Sequence, residues 1–107
     1  MSDSPTIIDL REPVETPDDG IVSRAIYTDD DIRVVHFSFA PGQQLSDHTA
    51  PVPVALEVVD GEATITLADE VVEGRSGTWI HMAANTPHSV VAKTPLVLLL
   101  TLLKKSG

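Results

Sequence analysis

The chain has 107 residues, 42% of them hydrophobic, which is enough for one domain around one core and too few for two. Sixteen acidic against seven basic side chains give a formal charge of −9, so nucleic acid and anionic membrane are poor partners for its surface. The absence of cysteine excludes disulfides, thiolate catalysis, iron–sulfur clusters and zinc fingers, and restricts any metal to imidazole and oxygen ligands.

The first residues, Met1-Ser2-Asp3-Ser4-Pro5, carry neither a basic nor an apolar leader segment, and the apolar run 96–103 is far below membrane-spanning length; a cytoplasmic protein is the expectation. Aromatic residues are few (Trp79, Tyr27, Phe37 and Phe39), so the core is filled by Val, Ile, Leu and Ala, a composition that favours strands.

Residues 1–20 read as an N-terminal arm, with sheet character over 6–10 and an acidic, proline-marked connection over 11–20; such an arm packs on its own barrel or on a partner subunit. The barrel is expected over 21–107. Strands are predicted at 21–27 and 32–40, the second ended by Pro41-Gly42, followed by an irregular segment over 43–53. A strand over 54–59 meets Asp60-Gly61, read as a type I′ hairpin turn, and then a strand over 62–68. In that strand Ala63, Ile65 and Leu67 alternate with Glu62, Thr64 and Thr66. Shorter strands are expected at 71–73 and 78–82, and a loop over 83–87 leads to strands at 88–92 and 96–104. No segment shows a sustained helical period, so the fold class is all-β, a sandwich or barrel. The final strand is apolar on both faces; it is either tucked between the sheets of one subunit or half of a homodimer interface.

Two segments carry matched signatures, Pro41-Gly42-x5-His48 and Gly77-x7-Asn85-x2-His88, each with a histidine at the end of a turn. In these residues the chain resembles a small single-domain cupin of the RmlC-like, conserved-barrel type, over roughly residues 32–103. The resemblance implies a double-stranded β-helix, or jelly-roll barrel, with a central pocket. Gly42, His48 and Gly61 match the first motif of that family, while Ala50 and Val54 stand where it has a second histidine and a glutamate. Gly77 and His88 match the second motif, with Ala83 for its proline, Ala92 for its asparagine, and Asn85 for a glycine, the residue that tolerates positive φ next best.

The resemblance therefore implies a pocket lined by His48 and His88 with Val54 and Leu56, which takes a small-molecule ligand. A divalent transition metal (iron, nickel, manganese or zinc) would be held by an incomplete set, His48 and His88 with His81 as the third candidate. Two imidazoles fall short of the three or more protein ligands that such ions need. His81 shares a face with His88 if the two pair across a hairpin, and lies on the opposite face after a slip of one residue. Glu57, out of phase with Val54, is expected either to pair with Arg33, Arg75 or a group on a second subunit, or to serve as a functional carboxylate, the structural role being favoured. His36 is expected on a solvated strand face. Two function classes stay open: a non-catalytic small-molecule binder, and a metal-dependent dioxygenase or isomerase. Acid–base catalysis by the histidine pair has no evident nucleophile or oxyanion hole to work with.

Overall fold

The computed structural model describes residues 4–10 and 17–104. Among them there is no helix, and nine strands form two antiparallel sheets: β1 (Ile21–Thr28), β2 (Ile32–Phe39), β3 (Gln44–His48), β4 (Val54–Asp60), β5 (Glu62–Leu67), β6 (Glu70–Arg75), β7 (Trp79–Met82), β8 (His88–Ala92) and β9 (Leu96–Leu103). One sheet runs β1-β2-β9-β4-β7 and the other β3-β8-β5-β6, the strand order of a jelly roll.

Alternation builds the core. On β9, Leu96, Leu98 and Leu100 point inward and are buried, level with Phe39, Phe37 and Val35 of β2. Leu56 and Val58 on β4 meet Ile65, Ala63 and Val90 from the opposing sheet in one apolar cluster. Each fully buried Leu, Ile or Val side chain of this cluster contributes about 1.5–3 kcal/mol.

Several expectations change. Residues 6–10 form no strand, and Ile7 is 88% exposed; an isolated apolar stretch lacks a ladder partner for its backbone. Residues 11–16 lie outside the described residues, while 17–20 join the barrel, with Ala40 N–H donating to Gly20 O and Gln43 Nε2 to Asp19 Oδ1. The segment expected to be irregular contains β3, whose polar sequence hid a strand that is half solvated. The strand expected over 71–73 extends to Glu70–Arg75 and includes Gly74, where an added Cβ would press on Ile65 and Val58.

Asp60-Gly61 is the most instructive change. Only Gly61 has positive φ (97°), and β4 and β5 lie in different sheets, so this is a corner and not a hairpin turn. A side chain at Gly61 would run into the Pro95 carbonyl, which explains the glycine by close approach of two inter-sheet corners. True hairpins connect β1 to β2 and β5 to β6. The latter turns through Ala68, at φ 55°.

His36, expected in solvent, is 5% exposed. It lies on the outer face of the five-stranded sheet, opposite Arg24 and Leu99, and its Nε2 and the Ser38 hydroxyl are buried without a hydrogen-bond partner. Burial, and secondarily the nearby Arg24 charge, push the His36 ring below its usual pKa.

Candidate functional site

The two motif histidines meet. His48 ends β3, His88 begins β8, and the two residues are direct cross-strand partners. Strict alternation would not allow both Leu45 and His48 to face inward, because they are three residues apart. A bulge between them restores the phase: Leu45 pairs with inward-facing Val90, and His48 with inward-facing His88. The ring centroids stand 4.1 Å apart with planes inclined by 58°. His88 is 2% exposed, whereas His48 stands at the solvent edge.

Each ring is fixed the same way. The His48 Nδ1 lies 2.9 Å from the Ser46 carbonyl, and the His88 Nδ1 lies 2.9 Å from the Thr86 carbonyl. A carbonyl only accepts, so Nδ1 carries the proton in each neutral ring and Nε2 keeps the lone pair. Burial pushes His88 below the usual imidazole pKa; the hydrogen bond to Thr86 works against this, the His48 ring adds to it, and the Asp47 carboxylate opposes it. The pair thus offers two adjacent hydrogen-bond acceptors at the end of a barrel.

The loops that deliver the histidines are tied together. Asn85 adopts φ 66°, the left-handed conformation expected where the family motif has a glycine, and its N–H donates to the Ala50 carbonyl at 2.7 Å. The Thr86 hydroxyl donates to the Ala83 carbonyl and closes the turn. Sequence reading did not supply this latch, since backbone partners 35 positions apart leave no mark in composition.

On β4, Val54 and Leu56 are buried and face inward, with Val54 level with Leu102 and Met82. Leu67 faces inward directly across from His88. Leu102 and Met82 were not singled out from sequence, though their inward phase with Leu100 and Ile80 was available. Arg33 also shares the Leu102 level, on the inward side of β2.

His81 does not join this site. Its strand β7 pairs with β4 in the five-stranded sheet while β8 lies in the other sheet, so residues 81 and 88 are not hairpin neighbours. The side chain is exposed on the outer face, out of phase with buried Met82. Glu57 shares that outer face, opposite Trp79 and Leu99, and pairs with neither Arg33, which faces inward, nor Arg75, which is on β6. Among the described residues no cluster of three or more His, Asp or Glu could hold a metal ion. With Ala50 and Val54 at the two other motif positions, the donor set does not fit a tight divalent metal centre.

Comparison of the sequence with curated proteins finds no match. Among solved structures the chain is similar to a conserved protein of unknown function from Streptococcus pyogenes, with 26% identity, a TM-score of 0.83, and coverage of 99% of this chain and 93% of that one. It is similar also to an RmlC-like cupin from Desulfovibrio desulfuricans, with 25% identity, a TM-score of 0.85, and coverage of 94% and 98%. A cupin 2 conserved barrel domain protein from Leptotrichia buccalis matches at 31% identity and TM-score 0.82 over 91% of this chain and 47% of that one. A family model described as the cupin domain matches residues 35–102, more than half of the sequence and all of the strands from β3 to β8, and the chain belongs to the cupin family.

Proposed function

We propose that this cupin binds a small organic molecule at the mouth of the barrel, with His48 and His88 as its polar handles and no tightly held metal. The observation that carries the reading is the pair of adjacent imidazoles, each with Nδ1 set by a backbone carbonyl so that Nε2 keeps its lone pair, in a barrel whose inward residues include Val54, Leu102 and Met82. Two fixed acceptors select a ligand that brings O–H or N–H donors on an apolar body. Replacement of two motif positions by Ala50 and Val54 removes the donors through which a related barrel would hold an ion for dioxygenase or isomerase chemistry.

The test uses tag-free protein, wild type beside His48→Ala and His88→Ala. Elemental analysis after dialysis is expected to show far less than one equivalent of iron, nickel, manganese or zinc. Imidazole nitrogen resonances, followed by NMR against a panel of hydroxyl- and amine-bearing small molecules, are expected to shift in the wild type and not in the variants. Near-stoichiometric metal, lost in both variants, would instead establish the metal-dependent enzyme and send the work to oxygen-uptake and isomerisation assays.

A further inference from the structure

The inward face of the five-stranded sheet ends in one cross-strand row: Thr28 on β1, Arg33 on β2, Leu102 on β9, Val54 on β4 and Met82 on β7. Backbone bonds tie this row to the end of the barrel that carries the two imidazoles. Lys104 N–H donates to Asp31 O, Leu103 N–H to Pro53 O and Asn85 N–H to Ala50 O, so the segments that follow His48 and precede His88 share one rim with the start of β2.

Arg33 is the odd member of the inward series. Every further inward level of β2 and β9 is apolar on both strands: Val35 with Leu100, Phe37 with Leu98, Phe39 with Leu96. The remaining basic side chains among the described residues lie elsewhere. Arg24 is opposite His36 on the outer face, Arg75 is opposite Glu62 and out of phase with buried Ala63, Lys93 pairs with Glu73, and Lys104 Nζ donates to Asp29 O. Arg33 is exposed at the rim, and among the described residues it has no hydrogen bond or ion pair.

We propose that the ligand of this mouth is a small monocarboxylate that also bears a hydroxyl, and that Arg33 is the residue that takes its carboxylate. The inference rests on the reading of His48 and His88 as hydrogen-bond acceptors and extends it to the other end of the ligand. A guanidinium is always charged and only donates, and its fork matches a carboxylate through two parallel N–H···O bonds. The two Nε2 atoms, with Nδ1 protonated against Ser46 and Thr86, only accept. A carboxylate brings them no proton, so the two kinds of group divide the ligand: its acidic end goes to Arg33 and its O–H to an imidazole. Leu102, Val54 and Met82, in the row of Arg33, suit the apolar body that joins those ends.

Charge limits the ligand to one carboxylate. The chain carries a net charge of −9, the turn before β2 holds Asp29, Asp30 and Asp31, and the Asp47 carboxylate acts on His88. A single cation in that surrounding balances a single anion, whereas a second carboxylate or a phosphate meets repulsion alone.

The test titrates wild type, Arg33→Gln and Arg33→Lys with hydroxyisocaproate and mandelate, with the methyl ester of each, with isocaproate and phenylacetate, which lack the hydroxyl, and with the dianion isopropylmalate, following imidazole nitrogen resonances by NMR. At least one hydroxy acid is expected to bind the wild type at least about ten-fold more tightly than its ester, its hydroxyl-free counterpart and the dianion. Arg33→Gln is expected to abolish the preference for acid over ester, and Arg33→Lys, which keeps the charge and loses the fork, to retain part of it. Urea unfolding checks that both variants fold; if either does not, the ratio of acid to ester in the wild type decides. Esters that shift the imidazoles as tightly as the acids, or an acid preference that survives Arg33→Gln, would overturn the role of Arg33 and leave the acceptor reading standing. Acids that bind through Arg33 without shifting either imidazole would overturn the acceptor reading and, with it, the hydroxyl half of the proposal. Binding of neither acid would overturn the proposal outright.

Discussion

The mouth of the barrel and the outer face of the five-stranded sheet each bury an imidazole, and they do so in opposite ways. At the mouth, His88 has its Nδ1 satisfied by Thr86 and its ring beside that of His48. On the outer face, His36 has no partner for Nε2. A ring with one nitrogen satisfied and the other beside a second imidazole can still take a hydrogen bond from a ligand, whereas a buried nitrogen without a partner costs stability. The contrast separates, within one small domain, an imidazole beside a second ring from one enclosed alone.

The strongest way to break this contrast is to change what the mouth can hold. Val54→Glu puts back the carboxylate of the family motif at a position 2% exposed. Without metal the substitution is expected to cost about 3 kcal/mol or more, as a buried carboxylate lacking a partner does. In combination with Ala50→His, zinc or nickel is expected to raise the thermal midpoint of the variant and to leave that of the wild type unchanged; a variant midpoint indifferent to both ions would mean that these side chains do not converge with His48 and His88.

A smaller effect separates the two histidines themselves. His88→Ala empties a packed position and is expected to lower stability by about 1–3 kcal/mol in urea unfolding, while His48→Ala, at the solvent edge, stays within about 0.5 kcal/mol. Ligand-induced shifts should vanish in both. Equal stability losses would contradict the unequal burial.

The smallest effect is in pH. Both His36 and His88 are held below the usual imidazole value of about 6.5, in each case chiefly by burial. The unfolded chain therefore takes up protons first as pH falls, so stability is full above that value and declines as acidification passes through it toward the lower folded values. The urea midpoint is expected to fall between about pH 7.5 and about pH 5.5, and His36→Gln or His88→Gln should each flatten part of the slope. The carboxylates of Asp29 and Glu73, pulled down by hydrogen bonds from Ile32 N–H and Lys93, titrate below this window.

Much of this was legible in the sequence, and the rest was hidden for definable reasons. Alternation in residues 62–67 and the apolar runs of 54–59 and 96–103 announced strands, and glycine and histidine spacing brought residues 48 and 88 together. Period-two patterning tells which face a residue takes but not which sheet its strand joins. For that reason Asp60-Gly61 read as a hairpin when it is a corner, and His81 stayed undecided between two faces of a hairpin that does not form. A bulge shifts phase by one residue without any compositional mark, so the inward turn of His48 rested on motif spacing alone. His36 was misplaced because its strand position gives a direction, and burial depends on what the neighbouring strands of the sheet bring beside it.

The strand order also sets how the chain reaches this structure. Only β1 with β2 and β5 with β6 are neighbours both in sequence and in space; β9 sits between β2 and β4, strands separated from it by much of the chain. Closing such long loops costs entropy before any ladder bond compensates, and barrels of this kind fold in milliseconds to seconds. On the ribosome, β2 and β4 must wait with open edges until Leu103 has emerged, so the five-stranded sheet closes late and all at once, and its waiting edges are the part of the nascent chain most exposed to misassembly.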